Sequence, residues 1–395
     1  MNNDWFRDSI TYQILIDRFS RAGADDRGGS ACDGPVFCGG NLRGVIDRLD
    51  YLEQLGVNTI WLSPFNSTAA YHGYHITDFF NVDPRLGTIE TLDELLQAVH
   101  RRGMRILMDF VANHVHESHP IFKEAARDPG SPYRNWFLFR GPDAYVGFLN
   151  MRELPKLNLR EPAAADYVTT AALHWLDAGF DGLRLDHVIG PSTDFWQRFA
   201  RAIKARHPEA VLIGEAFFSG VTWEALEAIE IKHKLFLFVL DLIGIDVAPG
   251  LMRQYVGVLD GVLDFRIQAL LKRFVAHPRW YRPAWLLRLL LRRHYGSFPE
   301  SYYLPSFLDN HDMSRFLYEA GQDKNRLKRA ARIQFSQVQP PIVYYGTEIG
   351  LTQQEATAPD VPYSDLNARP MMIWNPEFQD RGLLQFYKDL IKGRR

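Results

Sequence analysis

Cysteine is nearly absent from this chain of 395 residues: Cys32 and Cys38 are its two. Two thiols cannot build the framework of a small disulfide-rich scaffold, and their spacing fits no zinc pattern. Both lie in one Gly-rich loop, where free thiols are expected; a local disulfide, with the oxidising compartment it would imply, is the alternative. Net charge is scarce too. Lys and Arg number 45 against 47 Asp and Glu, a formal −2, so neither a basic field for nucleic acid nor an acidic tail is expected. No apolar run reaches the roughly 18 to 20 residues that span a bilayer. The candidate stretch, Leu235 to Ile245, is interrupted by Asp241 and Gly244. The opening MNNDWFRDSITYQI has neither a basic leader nor an apolar segment with a small-residue cleavage site, so no secretory signal and a cytoplasmic location are expected.

What the chain does have is apolar. Hydrophobic residues make up 46% and aromatics 13%, enough for a large core, and the length suits one elaborated barrel domain of roughly 250 residues plus insertions. Most of the nine Trp, seventeen Tyr and twenty-six Phe must then be core. Strand-like runs alternate with amphipathic ones: ITYQILI, VIDRLDYLEQLG, TIWLSP, TLDELLQAVHRRG, MRILMDFV. That order predicts βαβ units and a parallel sheet, with Gly56 and Gly103 as helix stops. FDGLRLD, AVLIGEA, VLDFRI, SYYLPSFL and PIVYYG extend the rhythm to eight strands, the number that closes a (β/α)8 TIM barrel. One connection, from Asn113 to about Glu161, is long, irregular and rich in Pro, Gly and aromatics, as functional excursions are.

Four stretches concentrate the chemistry: DFVANH (Asp109 to His114), GLRLDH (Gly182 to His187), IGEA (Ile213 to Ala216) and FLDNHD (Phe307 to Asp312). Each is an apolar run ending in carboxylates, Arg or His, which is how barrel strands look where their C-terminal ends open into a polar site. Three deliver a carboxylate that could face the others: Asp186, Glu215 and Asp312. Arg184 lies two residues before Asp186, so in a strand both share one face.

In order and spacing, these stretches resemble the four signature regions of the α-amylase family, glycoside hydrolase family 13. A fifth, LPKLN (Leu154 to Asn158), is similar to the MPKLN signature of the neopullulanase, cyclomaltodextrinase and maltogenic amylase group. The resemblance runs from about Trp5 to about Lys392. It implies a (β/α)8 barrel at 1–112 and 161–395, with a short domain B at 113–160 after strand three. No C-terminal β-sandwich is expected, nor the N-terminal domain of the neopullulanase group. With no such sandwich, the last helix, around Phe386 to Ile391, is expected to expose an apolar face or to be covered by another subunit, making a homo-oligomer one expectation.

The resemblance also implies the residue roles. Asp186 is the nucleophile, Glu215 the general acid/base and Asp312 the third catalytic acid. Arg184 orients the nucleophile with support from Asp109, Tyr74 stacks under the sugar being cleaved, His114 contacts its hydroxymethyl group, and His311 stabilises the transition state. The flanks of Glu215, namely Ile213, Ala216, Phe217 and Phe218, predict an apolar setting that would keep it protonated. Asn113 matches a calcium ligand, and Asp25, Asp26 and Asp33 in the early loop could add oxygens, although Arg21 and Gly23 stand where acceptors are expected. His114, His116 and His119 fit no zinc spacing.

One departure stands beside the nucleophile. Relatives acting on longer α-1,4-glucans often carry Lys and His three and four residues after it; here those positions are Ile189 and Gly190, so His187 is expected to be structural and leaving-group contacts must come from elsewhere. The apolar insertion from about Ile231 to Val256 is expected either as an extra core helix or as a wall over that side of the cleft. The activity implied is a retaining hydrolase of α-1,4-linked glucans or maltooligosaccharides. A 4-α-glucanotransferase is the alternative, and a non-catalytic scaffold is disfavoured by the three intact acids.

Overall fold

The computed structural model describes all residues except 1–3, 24–31, 33, 218–222, 243–245, 281–282, 359–360, 362 and 395. Nine strands are described: β1 (Thr11–Ile14), β2 (Thr59–Leu62), β3 (Asn66–Thr68), β4 (Ile76–Val82), β5 (Arg105–Phe110), β6 (Gly182–Leu185), β7 (Val211–Gly214), β8 (Gly261–Val262) and β9 (Ile342–Tyr344). Seven form one sheet in the order β8-β7-β6-β5-β2-β1-β9, and β3 pairs with β4 in a separate hairpin. Strands alternate with helices as the sequence predicts, and the fold is that of a (β/α)8 barrel. The chain divides into two compact units, one of residues 64–84 and 108–262 and the other of 2–63, 85–107 and 263–395, with β5 contributing to both.

In the second unit β1 pairs in parallel with β2 (Thr11 with Thr59) and with β9 (Thr11 with Ile342). All four residues of β1 and of β2 are buried, the continuous burial of a parallel sheet covered on both faces. The helix Ile89–Arg101 begins where Thr88 accepts the Thr91 N–H and buries Leu92, Leu95, Leu96 and Val99, a stripe at helical spacing. Gly56 ends the helix Leu49–Leu55 with φ 95°, and a Cβ there would stand 2.9 Å from Ile391. Glycine therefore serves both the left-handed turn and the approach of the last helix. That helix, Arg381–Arg394, buries Leu383, Tyr387 and Ile391, while Lys328 and Arg332 lie over the Phe386 ring. Its apolar face is thus covered within its own unit, against the expectation of an exposed or subunit-covered surface.

Two expected strands are cut short. SYYLPSFL, the predicted seventh, makes one bridge, Ser306 with Pro341. Pro305, Pro340 and Pro341 have no N–H to give a ladder, so among the described residues the sheet has seven strands rather than eight. VLDFRI yields one strand residue, Val262, and then a helix, because Asp264 caps Phe265–Leu271 by accepting the Ile267 N–H at 3.0 Å. The cysteine expectation is corrected as well. Cys32 and Cys38 are disulfide-bonded, with Cα atoms 5.8 Å apart. Buried Asp17 holds the loop for this pairing, accepting the N–H groups of Cys38 and Gly39 at 2.9 and 3.1 Å and pairing with Arg18 at 2.6 Å.

In the first unit β6 pairs with β7 and β7 with β8, both parallel. The excursion at 113–160 folds on itself through bridges His114–Lys156, Phe137–Leu157 and Gly147–Pro155. Inside it, the helix Pro120–Arg127 has Pro at its first position and His119 as cap, a favourable start because proline lacks only an N–H that would be unsatisfied there. No helix among the described residues is long and apolar enough to cross a membrane.

Candidate active site

Three neighbouring strand ends of the first unit carry the predicted acids. Asp109 is the penultimate residue of β5, Asp186 follows β6 and Glu215 follows β7. The ladder continues one step past each strand: Asp186 N donates to Phe110 O at 3.0 Å and Glu215 N to Leu185 O at 2.9 Å, so backbone pairing fixes both side chains. Arg184 binds all three acids. Its Nη1 lies 2.7 Å from Asp109 Oδ1 and 3.0 Å from Asp186 Oδ1, and its Nη2 lies 2.8 Å from Glu215 Oε1. Burial opposes the Arg184 charge, yet Asp109, Glu215, Tyr74 and Asp186 hold its pKa well above the usual arginine value. Tyr74 Oη donates to the other oxygen of Asp109 at 2.7 Å.

Glu215 is not in the apolar setting its flanks predicted. Besides Arg184, it accepts the backbone N–H of His187 at 3.1 Å; Phe218 lies outside the described residues. That N–H is aimed by a left-handed backbone at His187, φ 43°, a conformation uncommon for a residue with a Cβ and found where surrounding structure enforces it. The His187 ring packs edge-on against Phe148 at 4.6 Å, and His114 stacks on the same ring at 4.5 Å. Asn113 is fully buried. Its Oδ1 sits so close to Gly190 that a Cβ there would stand 2.1 Å away, which excludes any side chain at 190, and Ile189 is buried. Neither residue offers a side chain to a ligand.

The Asn113 Oδ1 has no hydrogen-bond partner, an orphaned oxygen of the kind a cation takes. Among the described residues no three His, Cys, Asp or Glu are grouped as a metal centre built from those side chains would need. Asp25, Asp26 and Asp33 lie outside the described residues.

The LPKLN stretch proves to be a latch. Lys156 is buried and pairs with Glu230 at 2.8 Å, and Arg160 takes the other Glu230 oxygen at 2.9 Å. Burial lowers the Lys156 pKa despite Glu230. Nothing near Glu230 in the sequence marks it, since its partners lie some seventy residues earlier. Glu230 leads into the expected insertion, where the helix Lys234–Leu242 buries Leu237 and Phe238 and exposes Leu235, Phe236 and Val239. The buried face fits the extra core helix; the other face stands exposed.

The second unit holds the remaining predicted pair. His311 Nδ1 accepts from Gln13 Nε2 at 2.8 Å, which leaves Nε2 to donate to Asp312 Oδ2 at 3.0 Å. Arg369 binds both: Nε donates to His311 O at 2.7 Å and Nη2 to Asp312 Oδ1 at 2.9 Å, while Nη1 pairs with Asp365. Gln13 and Arg369 were missed. A buried Gln in an otherwise apolar strand was a signal for the first; the second had none. Arg369→Met should remove one of the two braces named on Asp312, half exposed, and lower kcat/KM about 10- to 100-fold with little change in Tm. Unchanged kinetics in the folded variant would remove Arg369 from the site.

Four histidines of the first unit are held neutral. Burial lowers the pKa of His114 and His187 to about 3 and of His75 and His119 to about 4. The unfolded chain takes up protons below about 6.5 that the native unit refuses, so their stabilising effect is full above that pH and is lost on acidification toward 4. Going from pH 7.5 to 5.0 should cost about 2 kcal/mol for each ring, up to about 8 kcal/mol for the four, or roughly 10 °C in Tm. A melting temperature that stays flat over that range would show that these rings titrate normally.

Comparison with known proteins places this arrangement. The profile described as "Alpha amylase, catalytic domain" matches residues 13–232 and 245–391. The chain belongs to the α-amylase family. It is 36% identical over 394 residues to "Alpha-amylase 2" of Dictyoglomus thermophilum and 31% identical over 409 residues to a cyclomaltodextrinase of Bacillus sp. Each alignment takes in 99% of this chain but 64% and 66% of those proteins, so the chain spans less than two thirds of the length of these α-amylase-family relatives. Among solved structures it superposes on the cyclic α-maltosyl-(1→6)-maltose hydrolase of Arthrobacter globiformis with a TM-score of 0.82 at 27% identity, covering 98% of this chain and 83% of that one.

Proposed function

We propose that the chain hydrolyses α-glucosidic bonds, mainly α-1,4, in starch-type glucans or maltooligosaccharides, with retention of configuration. The observation that carries this is the single guanidinium of Arg184 shared by Asp186 and Glu215. Two carboxylates on one fork are close neighbours, which favours the spacing of about 5–5.5 Å used for a covalent intermediate over the wider gap that admits a water. In this scheme Asp186 attacks the anomeric carbon, and Glu215 gives a proton to the departing oxygen. Glu215 then takes a proton from the water that cleaves the glycosyl-enzyme. The family resemblance gives Asp312 the part of the third acid, gripping neighbouring sugar hydroxyls, and His311 that of stabilising the transition state. The relatives named as a cyclomaltodextrinase and a cyclic maltosyl-maltose hydrolase support a glucan substrate.

A 4-α-glucanotransferase is the second reading. It is favoured by the absence of a polar side chain at Ile189 and Gly190 together with exposed Phe217 and Trp223 downstream of Glu215, because apolar surface binds a sugar face better than it binds water. NMR of the first product from maltotriose separates the cases. We expect α-anomer first and glucose plus maltose thereafter. Early accumulation of longer oligomers would make it a transferase, and β-anomer first would overturn the retaining mechanism.

A further inference from the structure

The near-neutral total of −2 hides a local imbalance. From Phe265 to Pro299 there is no Asp or Glu, against eight Lys and Arg. The structure turns that bias into a surface. On the helix Ala284–Tyr295, Leu287, Leu291 and His294 are buried at i, i+4 and i+7, leaving Trp285, Arg288, Leu289, Arg292 and Arg293 on the outer face. Trp285 is 64% exposed, Leu289 39%, and Trp280, just before the helix, 94%. Glu319 reaches this stretch and takes Lys272 at 2.7 Å and His277 at 3.1 Å. Arg279, Arg288, Arg292 and Arg293 supply exposed positive charge. Beside them is an open cleft of about 390 Å³ lined by Gln268, Ala269, Lys272, Arg273, His277 and Arg279.

Indole rings standing in water cost free energy, and here they alternate with guanidinium groups rather than with paired charges. That combination suits a bilayer surface: indoles settle at headgroup depth, arginines meet anionic lipids, and their stems cover apolar surface. An acidic protein would satisfy the arginines but would give the two exposed tryptophans no apolar phase to enter, which a bilayer interface supplies. We propose that Trp280, the helix Ala284–Tyr295 and the adjoining cleft form a peripheral docking surface for membranes with anionic headgroups.

Sedimentation of the chain with vesicles of phosphatidylcholine and phosphatidylserine, at about 70:30 and low salt, tests this against pure phosphatidylcholine. Partition should favour the anionic vesicles at least tenfold, weaken as salt screens the charges, and shift tryptophan emission to the blue. Reversing three charges (Arg288→Glu, Arg292→Glu, Arg293→Glu) should lower partition about 100-fold, at about fivefold per charge. The pair Trp280→Ser and Trp285→Ser should abolish the emission shift and weaken partition about tenfold. All these positions are exposed, and circular dichroism checks that the variants fold. The proposal fails if the folded wild-type chain ignores anionic vesicles, binds neutral ones equally, or partitions undiminished after both sets of substitutions. It also fails if sedimentation velocity shows a dimer that the tryptophan changes dissolve, since the surface would then receive a second copy of this chain.

Discussion

Asp186→Asn should lower turnover of maltooligosaccharides by about 10⁴-fold or more, because an amide cannot form the glycosyl ester on which the double displacement depends. The side chain volume hardly changes, and Arg184 Nη1, 3.0 Å from Oδ1, can still meet the amide oxygen, so the fold should persist. Glu215→Gln should cost a similar factor on natural glucans. Its loss should shrink strongly on α-glucosyl fluoride, whose leaving group needs no proton, whereas the Asp186 variant gains nothing from that substrate. Steady-state rates of both variants on both substrates test the division of labour. Equal losses for Glu215→Gln on the two substrates would deny it the proton-donor role, and near-wild-type turnover in either variant would refute the mechanism.

The second large effect is expected at Arg184, on stability as well as rate. Its side chain is 1% exposed and answers Asp109, 0% exposed, along with Asp186 and Glu215, 11% and 12% exposed. Three carboxylates around one cation are tolerable only while the cation is there. Arg184→Met keeps the stem but removes the charge, and leaving buried carboxylates without a partner typically costs about 3–5 kcal/mol. Arg184→Lys should lose less stability yet remain poorly active, since an ammonium cannot present two nitrogens in the planar fork that reaches Asp186 and Glu215 together. Urea unfolding of the two variants beside the wild type gives the comparison. If Met and Lys are equally stable, charge at 184 is not what holds the three acids in place.

How much of this was legible beforehand follows from the range of each interaction. Asp186 and Glu215 could be read because each ends an apolar run whose pairing is dictated by the pattern itself, and the spacing of Arg184 to Asp186 put them on one face; the part of Asp109 came from the family resemblance. The expected apolar setting of Glu215 failed because flanking residues say nothing of Arg184, 31 positions away in the chain, or of the left-handed turn that aims the His187 amide. Cys32 and Cys38 were misjudged because the loop that unites them is organised by Asp17, well outside it.

The sequence alone determined the alternation of strands and helices, the glycine stops and the identity of the acids, since these rest on periodicity and local backbone preference that neighbouring residues set. Tertiary structure alone decided that Lys156 and Arg160 meet Glu230, that Arg369 braces His311 and Asp312, and that Asn113 closes position 190 to any side chain. It also decided that the last helix is covered and that the basic stretch faces outward with its tryptophans. These contacts join residues tens of positions apart, where no local period or propensity correlates them, and only the packed path of the chain brings them within hydrogen-bond reach.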